Sequence, residues 1–324
     1  MANVEWQIAK GCSRSRFAIL HSPFAIHSKP RRRLPRWLSR PMPGAQDFAA
    51  TSRIIADSGV ATVCREARCP NITECWAKGH AAFMILGHRC TRRCHFCAVT
   101  TARPEPVQPG EPHRLADAIA RLELAHVVVT AAARDDLPDE GAGHFAECVE
   151  AIHTRCATTT VEVLPADFHA RPECIQTLCD AGPELYNHNI ETVERVTPVV
   201  RPQAGYRRSL EVLRTVKMLA PHIVTKSGVM VGMGETWDEL LRTFADLREA
   251  GCDVLTVGQY LQPTTDRHQP VLKYYTPDEF QLLGERARSL GFFSVASGPF
   301  VRSSYNAAEV FDETRRRMAA VRRP

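Results

Sequence analysis

The stretch FMILGHRCTRRCHFC, Phe83–Cys97, decides how this chain is read. It opens with an apolar run of the length of one buried strand. A glycine breaks the run, and Cys90, Cys94 and Cys97 follow. The spacing C-x3-C-x2-C offers soft thiolates, which favour zinc or iron–sulfur clusters. A structural zinc site asks for a fourth ligand close by. His95 is the nearest candidate, but it lies between Cys94 and Cys97, where joint chelation is awkward. A cubane held by three thiolates leaves one iron open, and an open site can bind a small molecule directly.

Outward from this stretch the pattern alternates. Strands are expected at 81–87, 126–130, 160–165, 185–190, 223–232 and 253–260. Helices are expected near 113–124, 142–155, 171–181, 205–219, 236–250 and 276–290. Thr236 and Thr276 are plausible helix caps. Strand–helix repetition means βαβ units and a parallel sheet. The units between residues 80 and 290 are too few for a complete eight-unit barrel. The expected fold is therefore α/β, a partial (β/α)6 barrel of the TIM type. In such folds reactive residues gather where strands end and loops begin. The cysteine loop stands at one such end; VTAAARDD, NHNIET, VGMGET and GQYLQP stand at others.

The chain has 324 residues, 44% hydrophobic and 24% charged, enough for one large core with extensions. It has no apolar run of about 18 residues, so no membrane span is expected. The net charge of +5 is uneven: residues 1–45 carry nine Lys or Arg and one Glu. That segment reads as a basic arm: a solvated flexible end, a docking arm for an acidic partner, or a transit peptide. No aromatic-interleaved basic surface follows it, which argues against nucleic acid. Four segments are expected: the arm over 1–45, an extension over 46–80, the barrel over 81–296 and a C-terminal extension over 297–324.

Twelve cysteines in a chain of this size fit a reducing compartment better than a disulfide framework. A cytoplasmic location is expected, or a mitochondrial one if residues 1–33 are a transit peptide. Six of the twelve form two triplets, the second being Cys64, Cys69 and Cys75 in CREARCPNITEC. The remaining six, Cys12, Cys148, Cys156, Cys174, Cys179 and Cys252, read as buried small hydrophobes.

The C-x3-C-x2-C loop after the first strand of a six-unit barrel resembles the signature of the radical S-adenosylmethionine superfamily. With CREARCPNITECW upstream and VASGPFVRSSYNA near the end, the chain resembles the lipoyl synthase family within it. The likeness runs from RLPRWL at residue 34 to RSSYNA, and includes RDDLPDEGAGHF, VEVLPADF, NHNIETV, TKSGVMVG and LTVGQYLQP. The resemblance implies two [4Fe-4S] clusters and S-adenosyl-L-methionine. Cys90, Cys94 and Cys97 would hold the cluster that binds this cofactor. Cys64, Cys69 and Cys75 would hold an auxiliary cluster, with Ser304, the second serine of RSSY, as its fourth ligand. The implied reaction inserts two sulfur atoms at the sixth and eighth carbons of an octanoyl-lysine, with the auxiliary cluster as sulfur donor.

The same resemblance implies partners. These are octanoylated carriers (the glycine cleavage H protein and lipoyl domains of oxo-acid dehydrogenases), an electron donor such as ferredoxin or flavodoxin, and an iron–sulfur repair or carrier protein. The alternatives are another sulfur-inserting or methylthio-transferring radical enzyme and a non-catalytic zinc or cluster protein.

Other residues carry open readings. Asn189 and Glu191 could bind ribose hydroxyls or serve as turn residues. Arg134 could face the cofactor or belong to a solvated charge cluster. Lys226 could bind the cofactor, pair with a carboxylate inside the barrel or snorkel from it. Ser304 could also cap a C-terminal turn. Five positions depart from the family's common pattern: Ala131–Ala133, His95 and Ala98.

Overall fold

The computed structural model describes residues 34–39 and 45–321. Residues 1–33, 40–44 and 322–324 lie outside the described residues, and with them most of the expected basic arm and Cys12.

Ten strands are present among the described residues: β1 Ala61–Thr62, β2 Ala82–Ile85, β3 Arg89–Cys90, β4 Thr100–Thr101, β5 His126–Ala131, β6 Thr160–Leu164, β7 Leu185–Asn187, β8 Val224–Val231, β9 Val254–Gln259 and β10 Ser294–Gly298. The helices are α1 Ala45–Ser58, α2 Val63–Glu66, α3 Ile72–Ala77, α4 Glu111–Arg121, α5 Ala142–Arg155, α6 Pro172–Asp180, α7 Thr197–Val200, α8 Tyr206–Leu219, α9 Trp237–Glu249, α10 Pro277–Ser289 and α11 Ala307–Val321.

The main sheet has the order β1-β2-β5-β6-β7-β8-β9-β10. From β2 to β10 every neighbour is parallel and the order is that of the sequence; β1 pairs antiparallel on the edge. A sheet that winds one way and ends on unpaired edges is a partial barrel. All six expected strands are there, and β10 adds a seventh. It went unread because Ser-Val-Ala-Ser-Gly offers little apolar signal. It also crosses the expected boundary at residue 297, so the C-terminal extension grows directly out of the sheet.

Burial explains the strands. β5 and β9 are β-branched and apolar, and both faces of β9 are covered, as central parallel strands require. Phe83, Val129, Val163, Val212 and Val216 belong to one core cluster, and Val229, Leu240, Phe244, Val257 and Leu283 to another. The helices outside the sheet start where expected. Thr236 and Thr276 each accept from the N–H of Glu239 or Glu279, whose carboxylate accepts in return from the cap N–H. Glu111 at the start of α4 is buried and accepts from the Leu86 N–H at 2.8 Å, with His144 Nε2 also at 2.8 Å. That contact ties the exit of β2 to α4 and α5, and so fixes where the cysteine loop begins.

Candidate active site

The first triplet is pinned from several sides. Cys90 sits in β3, which pairs with β4 beside it. Thr91 donates to the Ala133 carbonyl at the end of β5, through its N–H at 3.1 Å and its hydroxyl at 3.0 Å. Arg92 makes a fork to Asp135 at 2.6–3.0 Å and reaches Asp167 at 2.7 Å. The His95 N–H donates to the Val200 carbonyl at 2.8 Å. His268 Nε2 lies 2.9 Å from the Cys97 carbonyl, and the Gln269 N–H donates to the His95 carbonyl at 2.8 Å. Loops after four different strands therefore hold one short cysteine segment.

Burial pushes the Cys94 thiol up to about 11 and the Cys97 thiol up to about 12, although Arg201 works against it at Cys94. Both are thiols rather than thiolates until a metal displaces the proton.

The three sulfurs line a cavity of about 510 Å3 at the C-terminal ends of the strands. Its walls are largely apolar, with Met84, Phe96, Val229 and Met230 among them. Cys64, Cys69 and Ser304 line the same cavity. The structure thus brings most of both triplets to one space, although Ser304 is far from either in sequence. The segment carrying Cys69 and Cys75 is clamped to the tail. Asn71 donates to the Phe300 carbonyl at 2.7 Å, and the Tyr305 hydroxyl to Glu74 at 3.1 Å. The tail in turn lies across the barrel mouth. Ser303 donates to Asn189 Oδ1 at 2.9 Å. A methyl group on Gly258 would overlap the Val301 carbonyl oxygen, so only glycine lets β9 pass beneath the tail.

Asn189 and Glu191 both line the cavity. Glu191 has φ 69, a left-handed backbone that costs a side chain on the order of 1–3 kcal/mol. Two backbone bonds to β8 hold it there, its N–H to Gly228 at 2.9 Å and its carbonyl from Met230 at 2.8 Å. Burial pushes its carboxyl up, while Arg201 and Asn189 work the other way. His188 is buried in the same wall, and desolvation brings it down to about 4, so it is a neutral imidazole.

Two residues expected at the cofactor lie elsewhere. Arg134 is buried against Asp136 at 2.9 Å and the Leu86 carbonyl at 3.0 Å. Lys226 is fully buried and bonds both Glu162 oxygens at 3.0 Å. Neither is among the cavity's lining residues. Lys226 is neutralised by a carboxylate inside the scaffold and Arg134 by the exposed Asp136, because a buried charge without a partner is costly. Arg201 was missed. It lines the cavity, donates to the Asn189 and Ile190 carbonyls at 3.2 and 3.1 Å, and keeps its Nε without a partner among the described residues. Its one sequence signal was an arginine in the loop after a strand.

The donor set fits an iron–sulfur cluster better than a single ion. Around a tetrahedral zinc, sulfurs stand about 3.8 Å apart, given a Zn–S bond of about 2.3 Å. Among the described residues, the one group of His, Cys, Asp or Glu with all ligand atoms within 4.8 Å is Asp135, Glu140 and His169; neither triplet meets that spacing. That group is already engaged by guanidinium groups, Arg92 at Asp135 and Arg171 at Glu140. The other described cysteines, Cys148, Cys156, Cys174, Cys179 and Cys252, are free thiols, all but Cys156 buried. Among the described residues no helix is long and apolar enough to cross a membrane.

Comparison with known proteins agrees with this geometry. The family model of the Radical SAM superfamily matches residues 84–247. The chain is 50% identical to lipoyl synthase of Rubrobacter xylanophilus over 282 residues, 87% of this chain and 88% of that one. It is 51% identical to lipoyl synthase of a Geobacillus species over 278 residues, 86% of this chain and 93% of that one. Among solved structures, methylornithine synthase (PylB) has the same fold, with a TM-score of 0.52 at 13% identity over 75% of this chain and 70% of that one. Half-identity along nearly the whole length, with the superfamily's domain at its centre, places the chain in the lipoyl synthase family of radical S-adenosylmethionine enzymes.

Proposed function

We propose that this protein inserts two sulfur atoms, at the sixth and eighth carbons, into an octanoyl group amide-linked to a lysine of a carrier protein, giving lipoyl-lysine. One observation carries the reading: cysteines of both triplets, with Ser304, open onto a single apolar-walled cavity. A cofactor site and a sulfur source must both reach one acyl chain, and this cavity is where they could.

Membership of the family brings S-adenosyl-L-methionine and a [4Fe-4S] cluster. Cys90, Cys94 and Cys97 would hold that cluster, which when bound supplies the single electron that turns the sulfonium cofactor into a source of a carbon-centred radical. An alkyl chain offers no acidic proton to a general base, so a radical suits this substrate. The residues around it bind and orient. Arg201 in the cavity wall would meet the cofactor's carboxylate, and Asn189 and Glu191 its ribose hydroxyls. The apolar walls would take the acyl chain, at roughly 0.8 kcal/mol per buried CH2. By covering that chain they keep water away from the reacting carbons. Arg134 and Lys226 hold the scaffold under the site.

Cys64, Cys69, Cys75 and Ser304 would hold a second [4Fe-4S] cluster, consumed as the sulfur donor. A serine oxygen is a harder ligand than a thiolate and suits iron–sulfur less well. It would mark the corner that comes apart first. The partners inferred from this chemistry are octanoylated H protein or lipoyl domains, a ferredoxin- or flavodoxin-like donor and a cluster carrier, in the cytoplasm. Anaerobic turnover of an octanoyl-lysine peptide, followed by mass spectrometry, tests the reading. Lipoyl peptide is expected. Unchanged peptide, or a methylthio product, would sink it.

A further inference from the structure

The second triplet has two faces. Cys64, Cys69, Arg302 and Ser304 line the large cavity, and the same four residues line a second cavity of about 230 Å3. Cys75 lines the second cavity and not the first. This smaller space runs from the tail to the N-terminal ends of β2 and β5, with Ala82 and Leu124 in its wall. Its lining is more polar in kind, and includes exposed His80 and Glu123.

His126 also lines it, and its side chain is 5% exposed. The ring packs on Phe311 with centroids 5.7 Å apart, and Nε2 stands 3.4 Å from Glu162 Oε2. Nε2 is thus taken up by the Glu162 carboxylate, while Nδ1 makes no hydrogen bond among the described residues. Buried polar groups are normally satisfied, so an Nδ1 left this way on a residue of the cavity wall points to something that visits the cavity. Imidazole is a ligand for divalent iron.

The inference rests on the reading that the second triplet holds a cluster consumed as sulfur source. When its sulfide leaves, the iron left behind has to leave too before a carrier can rebuild the site. The large cavity is a poor route. Its walls are apolar, and acyl chain and cofactor would fill it. Carrying a divalent ion through such a space costs far more than carrying it through a polar one.

We propose that the smaller cavity is the iron portal of the second triplet. A ferrous ion leaves from Cys75 to solvent by way of His126, without crossing the cavity that takes the cofactor and the acyl chain.

The test uses the fully loaded chain, without reductant, and ferrozine as iron trap. The release phase missing from Cys75→Ala reports the second triplet. Saturating S-adenosylmethionine plus octanoyl-lysine peptide should leave that phase within about twofold of its rate. Ala125→Trp, at the exposed rim, should slow it at least about tenfold, the effect of a barrier about 1.4 kcal/mol higher, with cofactor affinity unchanged. A tenfold block by cofactor and peptide, roughly that same barrier, would overturn the portal. So would wild-type release from both Ala125→Trp and Ala308→Trp. A chain that loads only about four irons would remove the cluster reading itself, and the portal with it.

Discussion

The two cysteine triplets sit in one protein under different constraints. Cys90, Cys94 and Cys97 belong to the barrel. Their segment is bonded to Ala133, Asp135, Asp167, Val200 and the 268–269 loop, and burial raises Cys94 and Cys97. Cys64, Cys69 and Cys75 lie on and between the short helices α2 and α3, outside the barrel strands. They are held by clamps to the tail, Asn71 to Phe300 and Tyr305 to Glu74, with Cys64 buried and raised as well, and they face two cavities. A site that must keep its cluster gains from rigid support on every side. A site whose contents are replaced has to stay reachable, and a clamp of a few bonds leaves it so.

The sharpest way to break this contrast is to delete one ligand from each triplet. In Cys94→Ala, both 5′-deoxyadenosine formation and sulfur insertion should fall at least about a thousandfold, or about 4 kcal/mol of barrier. In Cys75→Ala, sulfur insertion should fall as far while 5′-deoxyadenosine formation holds within about threefold, well under 1 kcal/mol. Product analysis by chromatography reads both. Equal loss of cofactor cleavage in the two variants would erase the distinction.

The next effect lies in the scaffold beneath. Lys226→Met takes the ammonium from the Glu162 carboxylate, leaving it Asn187 at 2.7 Å and the His126 ring, where neither Lys226 nor Glu162 is exposed. Urea unfolding should show a loss of about 3–5 kcal/mol, and Lys226→Met with Glu162→Leu should recover much of it. Smaller again is Ser303→Ala, which removes the bond to Asn189 and should cost about 1 kcal/mol. Faster amide exchange over residues 299–306, with the segment of Cys90–Cys97 unchanged, would sharpen the comparison. As the control, Thr236→Ala breaks the capping box of α9, remote from both triplets. It should lower stability by about 1 kcal/mol and leave iron content alone.

Much of this was legible in advance. The six strands and six helices of the repeat were read from apolar runs and period, and α5 falls on its expected bounds. Both threonine caps were readable, because a capping box is a local pattern. The segments that went unread have weak local signals. β10 is made of small residues, and α3 is six residues long. Glu191 was legible as a strand-end residue, but its left-handed backbone was not, since the two bonds that enforce it come from β8.

The sequence by itself determined the order of elements, the soft-ligand character of both triplets and the family likeness. Each depends on neighbours in the chain, where side-chain period and spacing act directly. Only the tertiary structure decided that Cys64 and Cys69 share a cavity with the first triplet and that Ser304 joins them there. It also withdrew Arg134 and Lys226 into ion pairs and brought Arg201 forward. Those outcomes depend on contacts such as Asn71 with Phe300, 229 residues apart, which exist only once the sheet has wound and the tail has crossed it. No local propensity encodes a meeting at that separation.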